Sequence, residues 1–422
     1  MNELSEGIRS DANTAAPGTR RWREWFSWLG LACLVAAIWG APFLFPRLWD
    51  VVGVRDLRPR FLDLYGSLAA AEAAQVGMDP YQPNPLDPLM RPHFYSSWWL
   101  MSGQLGLGRD DVMWLGAVLV AACLAVAVVW LRPRGCREWG LALLLLISPA
   151  FLLAVNRANN DLVIFLLLSA ALVCLKSGRE ALRLGGVAFL SVAAVLKYYP
   201  SALLLLLLTA PTARQLARDV AVAAFVLLLG FPSMLDGLQA AGLYWSGVTG
   251  PYAFGATVLW QELQIPRALA NGGLVIAGAG LGAWIWRGRR AAAPMPVECI
   301  AGSAILLACF VLGNTYAYKL IFSVWLLPGL WRARESRLSA RVMLYAVLLA
   351  AWTDGLTVTV ANLREIESPN LPYRLLLGVS QLSAWCIAAI AFAWLADFVR
   401  HRVGHLQLAG VRPPLQKSDH AP

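Results

Sequence analysis

The sequence predicts an all-α integral membrane protein with about 12 transmembrane helices, and three observations carry that prediction. Hydrophobic residues make up 59% of the 422 positions and charged residues 14%, with a mean hydropathy of +0.58; a soluble chain averages roughly 25% charged. Apolar runs recur along nearly the whole length, so no sizeable soluble domain has room to form. Basic clusters alternate with proline-rich or tyrosine-bearing polar breaks, as in a chain that threads back and forth with its positive loops on one side.

The elements follow in order from the apolar runs and their breaks. Residues 1–27 hold Arg9, Arg20, Arg21 and Arg23 but no apolar core, and read as a disordered cytoplasmic N-terminus. The first span, 28–46, ends in GAPFLFP without a small-residue cleavage signature and reads as a retained helix. Then comes the longest polar segment, 47–110, followed by spans at 111–131 and 139–155, separated by RPRGCR. NRANND (156–161) leads into the span 161–175, and KSGREALR into a pair at 184–197 and 200–210 that meets at KYYPS. After ARQLAR come 219–235 and 268–286; after RGRR, 297–313; after NTYAYK (314–319), 319–331; and after RARESRLSAR, 341–358 and 374–398. The membrane domain thus spans 28–398, with a tail at 399–422.

Reading 184–210 as two pieces places RPRGCR, KSGREALR, ARQLAR, RGRR, RARESRLSAR and RHR, with both termini, on one side, which then holds 23 of the 35 Lys and Arg residues against 12 on the other. The net charge of +10 therefore encodes orientation in a plasma (inner) membrane, and nucleic-acid binding is not expected. Six of the seven cysteines lie in spans and Cys136 in a cytoplasmic loop, so neither a disulfide framework nor a zinc pattern is implied. Tryptophans such as Trp98, Trp99, Trp114, Trp130 and Trp139 sit near span boundaries, where an amphipathic ring is best accommodated.

The same parity sends NRANND, KYYP, NTYAYK, Asp354 and the Asp63 loop to the extracytoplasmic side. A charge in the bilayer costs on the order of 2.5–3.5 kcal/mol on insertion scales, so such residues face a cavity and find partners. Spans 139–155 and 161–175 reach only about 22–25 Å as helices, short of a roughly 30 Å hydrocarbon core, so NRANND is expected to sit below the surface as a cavity floor. Arg157, Asn159, Asn160, Lys197 and Lys319 there suit a lipid-linked phosphate, and the tyrosines suit a sugar or headgroup. Structural alternatives stay open: Arg157 and Asp161 as an i,i+4 ion pair, and Lys197 and Lys319 as lysines snorkelling to the interface.

In the first loop, RFLDLYGSLAAAEAAQVG favours a short helix along the membrane surface, ending at Gly77. Five prolines between Pro80 and Pro92 then enforce an extended covering segment able to arch over the cavity. Asp63 is its candidate base, with Asp50, Asp56, Glu72, Asp79, Asp87, Asp110 and Asp111 as rivals, and His93 reads as a loop residue. No paired acidic D-x-D occurs in this loop, so neither a metal nor any cofactor is expected.

Taken together, F-x-D-x-Y (Phe61, Asp63, Tyr65), G-x-D-P-Y (Gly77 to Tyr81), RANND, LKYYP (196–200) and NTYAYKLIF (314–322) resemble glycosyltransferase family 87, among the C-type membrane glycosyltransferases. The resemblance covers about 28–398. It implies the C-type fold with a large first extracytoplasmic loop, and transfer of a hexose, typically mannose, from a polyprenyl-phosphate donor to a lipid or glycan acceptor on the extracytoplasmic face. By position Asp63 matches the family's first-loop catalytic aspartate. Members acting on phosphatidylinositol mannosides often carry histidine in the late external loop, where this chain has Tyr316, Tyr318 and Lys319.

The chemistry is self-consistent. A polyprenyl phosphate leaves as a stable anion, so one base suffices, in contrast to the two carboxylates of glycoside hydrolysis. Asp63 would deprotonate the acceptor hydroxyl as it attacks with inversion, and Arg157, Lys197 and Lys319 would bind the donor phosphate. Tyr65, Tyr81, Asn159, Asn160, Asp161, Tyr198, Tyr199, Tyr316 and Tyr318 complete the expected substrate-binding set. Two other classes share parts of the pattern. A transporter or flippase for a lipid-linked sugar would have broken helices, but also related halves, and no internal repeat is evident. An O-antigen-type polymerase or ligase would place its large loop late in the chain, whereas here the longest is first.

Overall fold

The computed structural model describes residues 17–55, 58–244, 250–258, 295–312, 315–363 and 371–411, with single positions between 248 and 280. It is mostly helical. Helices α1 (Pro17–Leu44), α2 (Arg47–Val51), α3 (Leu62–Gln75) and α4 (Met101–Gln104) lead into α5 (Val112–Leu131). The chain continues through α6 (Cys136–Leu146), α7 (Pro149–Arg157), α8 (Asp161–Leu175) and α9 (Glu180–Leu196). A 3-10 helix at Tyr199–Thr209 and α10 (Ala213–Tyr244) follow, then α11 (Val297–Val311), a second 3-10 helix at Ala317–Val324, α12 (Leu327–Ala333), α13 (Leu338–Leu363) and α14 (Leu371–Val411). The sheet among the described residues is one antiparallel pair, β1 (Ala253–Phe254) with β2 (Thr315–Tyr316), in the register Ala253 to Tyr316.

Among the described residues, five helices are long and apolar enough to cross a membrane, or six if α6 and α7, bent by 50° at their break, count as one span. That is about half the expected number, and the difference has physical causes. The expected span 139–155 is divided because Pro149 opens a new helix at its first position, where a missing N–H costs nothing. Segment 200–210 is wound largely as 3-10 helix, and 319–331 is 3-10 helix as far as Val324 and α-helix only from Leu327. The expected spans 219–235 and 374–398 lengthen to 213–244 and 371–411, and 268–286 lies almost wholly outside the described residues. Helix α1 already begins at Pro17, so 17–27 is helical where a disordered leader was expected, and the expected tail continues α14 to Val411.

The two ends of the bundle differ in chemistry. Helix α5, about 30 Å long at 1.5 Å per residue, starts at Val112 in a cluster with Phe61, Leu68 and Ala158. It ends at the basic RPRGCR turn. The chain reverses at Lys197, as the two-piece reading of 184–210 expects. Arg183 at the start of α9 reaches both Thr209, at the end of the 3-10 helix (3.3 Å), and Asp219 on α10 (2.8 Å). Close approaches seat the first loop on the bundle. A β-carbon added at Gly116 on α5 would stand 2.3 Å from the Phe61 ring, and one at Gly237 on α10 would stand 2.4 Å from the Tyr95 carbonyl oxygen. Arg60 adds a hydrogen bond to the Phe43 carbonyl at the end of α1.

Candidate active site

The site is assembled around the RANND turn. Helix α7 stops because Ala158 takes a left-handed conformation, φ 42°. The turn then restarts the chain as α8, with Asn159 Oδ1 accepting the Asp161 N–H at 2.9 Å. That turn places Arg157, Asn159, Asn160 and Asp161 together, all buried. The first loop docks on it twice. Phe61 N–H donates to the Asn156 carbonyl at 3.2 Å, and Ser67 Oγ lies 3.0 Å from Asn160 Oδ1.

Asp63, in the first turn of α3, is thereby held in a full set of four hydrogen bonds. Arg157 donates to both its oxygens at 2.7 Å, Asn159 Nδ2 to Oδ2 at 2.6 Å, and Arg91 to Oδ1 at 2.9 Å. Burial pushes this carboxyl up, but the Arg157 and Arg91 guanidiniums outweigh it and hold the group well below the usual carboxylate range. Arg91 also bonds Asp87 at 2.9 Å and the Leu62 carbonyl at 2.7 Å.

One layer further in, Asp161 binds both lysines: Lys197 at 2.5 Å, and Lys319 in a short contact. Tyr199 Oη donates to the same carboxylate at 2.7 Å. Asn159 joins the layers, because its amide also meets Tyr318 Oη at 2.9 Å and Lys197 Nζ at 3.2 Å. Aromatic faces close the sides. Arg157 lies 4.5 Å over the Tyr316 ring, which stacks on Tyr318 at 5.2 Å, while Lys319 lies 4.3 Å over Tyr199 and Lys197 4.6 Å over Tyr95. With Arg91, Arg157, Lys197 and Lys319 against Asp63, Asp87 and Asp161, the cluster carries one net positive charge.

Neither structural alternative for the basic residues is realised. Arg157 pairs with Asp63 across 94 residues rather than with Asp161 one turn away, and Lys197 and Lys319 are buried on Asp161 rather than extended to an interface. Of the expected residues, Asp63, Arg157, Asn159, Asn160, Asp161, Lys197, Tyr199, Tyr316, Tyr318 and Lys319 come together. Tyr198 stands at the edge, its hydroxyl on the Phe94 carbonyl at 2.7 Å. Two do not join. Tyr65 packs with the Phe61, Leu68 and Val112 group, and Tyr81 lies 5.6 Å from His93, half-buried, its phenol pushed up to about 12 by burial. Asn314 of the late motif lies outside the described residues.

Sequence reasoning missed Arg91 and Tyr95, and it ranked Asp87 only as a rival acid. The Asp87 to Arg91 spacing of four is a signal, though a weak one among prolines. His93 is more than a loop residue: it is buried between Tyr81 and Tyr95, with Nε2 3.2 Å from the Ser96 carbonyl. Burial lowers its pKa to about 4, against roughly 6.5 unfolded. The unfolded chain therefore binds more protons between those values, so stability present above pH 6.5 is lost as the pH falls toward 4, by about 3 kcal/mol in all. Thermal unfolding followed from pH 7 to pH 4 is expected to show this slope, and His93→Gln to flatten it; an equal slope in the variant would rule His93 out as its source.

Among the described residues no group of three or more His, Cys, Asp or Glu is placed to hold a metal ion. The fold and these helices define a mostly helical membrane protein with a buried, charge-rich cluster at one end. In comparisons with family models, curated proteins and solved structures, nothing matches the chain.

Proposed function

We propose that this chain is a membrane glycosyltransferase that moves a hexose, typically mannose, from a polyprenyl phosphate to a lipid or glycan acceptor on the extracytoplasmic face, with inversion. The observation that supports this reading most is the convergence on Asp63. A first-loop carboxylate, the RANND turn and the late NTYAYK segment come from distant parts of the chain, and they meet within hydrogen-bond reach through Asn159. On the same reading the shorter and broken apolar segments are further traverses, which with 268–286 bring the total to about 12, with both termini cytoplasmic.

The geometry constrains the mechanism. A carboxylate with all its acceptor positions filled has none left for an acceptor hydroxyl. Arg157 must therefore turn from Asp63 to the donor phosphate before catalysis. Its move serves both partners: the phosphate gains a charge-assisted bidentate contact, and Asp63 regains basicity. The acceptor oxygen then bonds to the anomeric carbon, its proton passes to Asp63, and the carbon–oxygen bond to phosphate breaks with its electron pair leaving on polyprenyl phosphate. The cluster's net positive charge favours that developing anion. Asn160 Nδ2, buried and without a protein acceptor among the described residues, is placed to donate to the substrate.

The test is direct. Purified protein in liposomes is incubated with radiolabelled polyprenyl-phosphate mannose, glucose or arabinose, each with membrane extract as acceptor. Label is expected in product from one hexose donor, mannose first. Absence of transfer from every donor, by protein that unfolds cooperatively and is therefore folded, would overturn the reading.

A further inference from the structure

We propose a second lipid site at the opposite end of the bundle, which takes one anionic glycerophospholipid with its phosphate among arginines and its acyl chain in an intramembrane crevice. The crevice encloses about 910 Å³ between the ends of α5 and α8 and the starts of α6 and α11, with α12 along one side. That volume is ample for a lipid chain, since ligand pockets run to roughly 300–1,000 Å³. It lies at the other end of α5 and α8 from Asp63, so it is not part of the site described above.

Two features identify the occupant. The walls are apolar for some two turns inward from the rim, through Ala125, Val129, Leu166 and Val173. Val129 and Val173 are 45% and 62% exposed, so the crevice opens sideways where acyl chains lie. Ser169, a polar wall residue, is already bonded to Trp325 Nε1 at 3.2 Å. The rim, by contrast, is cationic: Arg132, Arg134, Lys176 and Arg332 against Glu138 and Glu298. Lys176 satisfies Glu298, and Glu138 accepts the Arg134 backbone N–H at 2.6 Å. Among the described residues none of the three guanidiniums forms an ion pair with a carboxylate, which leaves two net positive charges for a phosphodiester. Basic pockets between transmembrane helices at the positive end of a membrane protein recognise such headgroups. Trp130 and Trp331, also on the lining, suit the boundary between headgroup and chain.

The full chain is reconstituted in bilayer discs of equimolar phosphatidylglycerol and phosphatidylcholine, then released into detergent, and retained lipid is counted by native mass spectrometry. Phosphatidylglycerol is expected to be retained selectively, with retention falling about fivefold for Arg332→Gln and again for Arg132→Gln, both exposed side chains whose loss leaves the unfolding temperature unchanged. Arg179→Gln, at the same end but not on the lining, is expected to retain lipid like the wild type. Ala170→Phe, which fills the crevice, is expected to lose it. Equal retention of both lipids, an unchanged count in both rim variants, an equal loss in Arg179→Gln, or retention of added polyprenyl phosphate in place of phosphatidylglycerol would each overturn the proposal. Sugar transfer is not read in this experiment, so its outcome is separate from that of the proposed activity.

Discussion

Asp63→Asn is expected to lower sugar transfer by about 10²–10⁴-fold, the usual contribution of a general base. The same side chain also neutralises Arg157 and Arg91, so activity alone cannot separate catalysis from folding. Breaking a buried pair from one side typically costs about 3–5 kcal/mol, because a charge is left unpaired. A second substitution resolves this. Asp63→Asn combined with Arg157→Gln removes both charges of the main pair, and is expected to recover much of the lost unfolding temperature without recovering transfer. Turnover in liposomes and thermal unfolding in detergent read the two effects separately. If the single variant transfers sugar at the wild-type rate, Asp63 is not the base; if the double variant regains transfer, its role is purely structural.

The largest effect on stability is expected at Asp161. It lies deeper than Asp63 and alone neutralises two lysines, both buried. Asp161→Asn leaves those ammonium groups facing each other with no counter-charge, and a loss of at least about 3–5 kcal/mol follows. Adding Lys319→Met removes one of the two charges and is expected to restore part of the loss, a positive coupling that a double-mutant cycle measures. Additive losses would mean that Lys319 and Asp161 do not depend on each other. An Asp161→Asn protein with unchanged unfolding would mean that this layer carries no stabilising charge.

Which residues gather at the site was legible from sequence because intramembrane charge is costly: Arg157, Lys197 and Lys319 stand out against apolar surroundings, and each had to find a partner. How they pair was not legible. Spacing brings Arg157 and Asp161 onto neighbouring turns, but the left-handed Ala158 breaks the helix between them and sends their side chains to different carboxylate layers. Arg91 and Tyr95 were hidden for another reason: a proline-rich loop has no periodicity, so nothing in its local pattern says which of its side chains turn inward. The helical class and the ends of α5 followed from long apolar runs, whereas α10 runs several residues past its apolar run at both ends. Span count did not, because a run of eleven apolar residues has a length in ångströms only once its winding is known.

That winding has a consequence of its own. Both of the late polar motifs, KYYP and NTYAYK, lead straight into 3-10 helix, Tyr199–Thr209 and Ala317–Val324. At about 2.0 Å per residue, eleven residues stretch some 22 Å, against roughly 16 Å as α-helix. The chain thus gains reach where Lys197, Tyr199 and Lys319 must be delivered at one depth. The cost is redundancy: with three residues per turn, side chains three apart eclipse one another, and one inserted residue would swing every later group by about 120°. These two stretches should accordingly tolerate exchange of one apolar side chain for another far better than any change in their length.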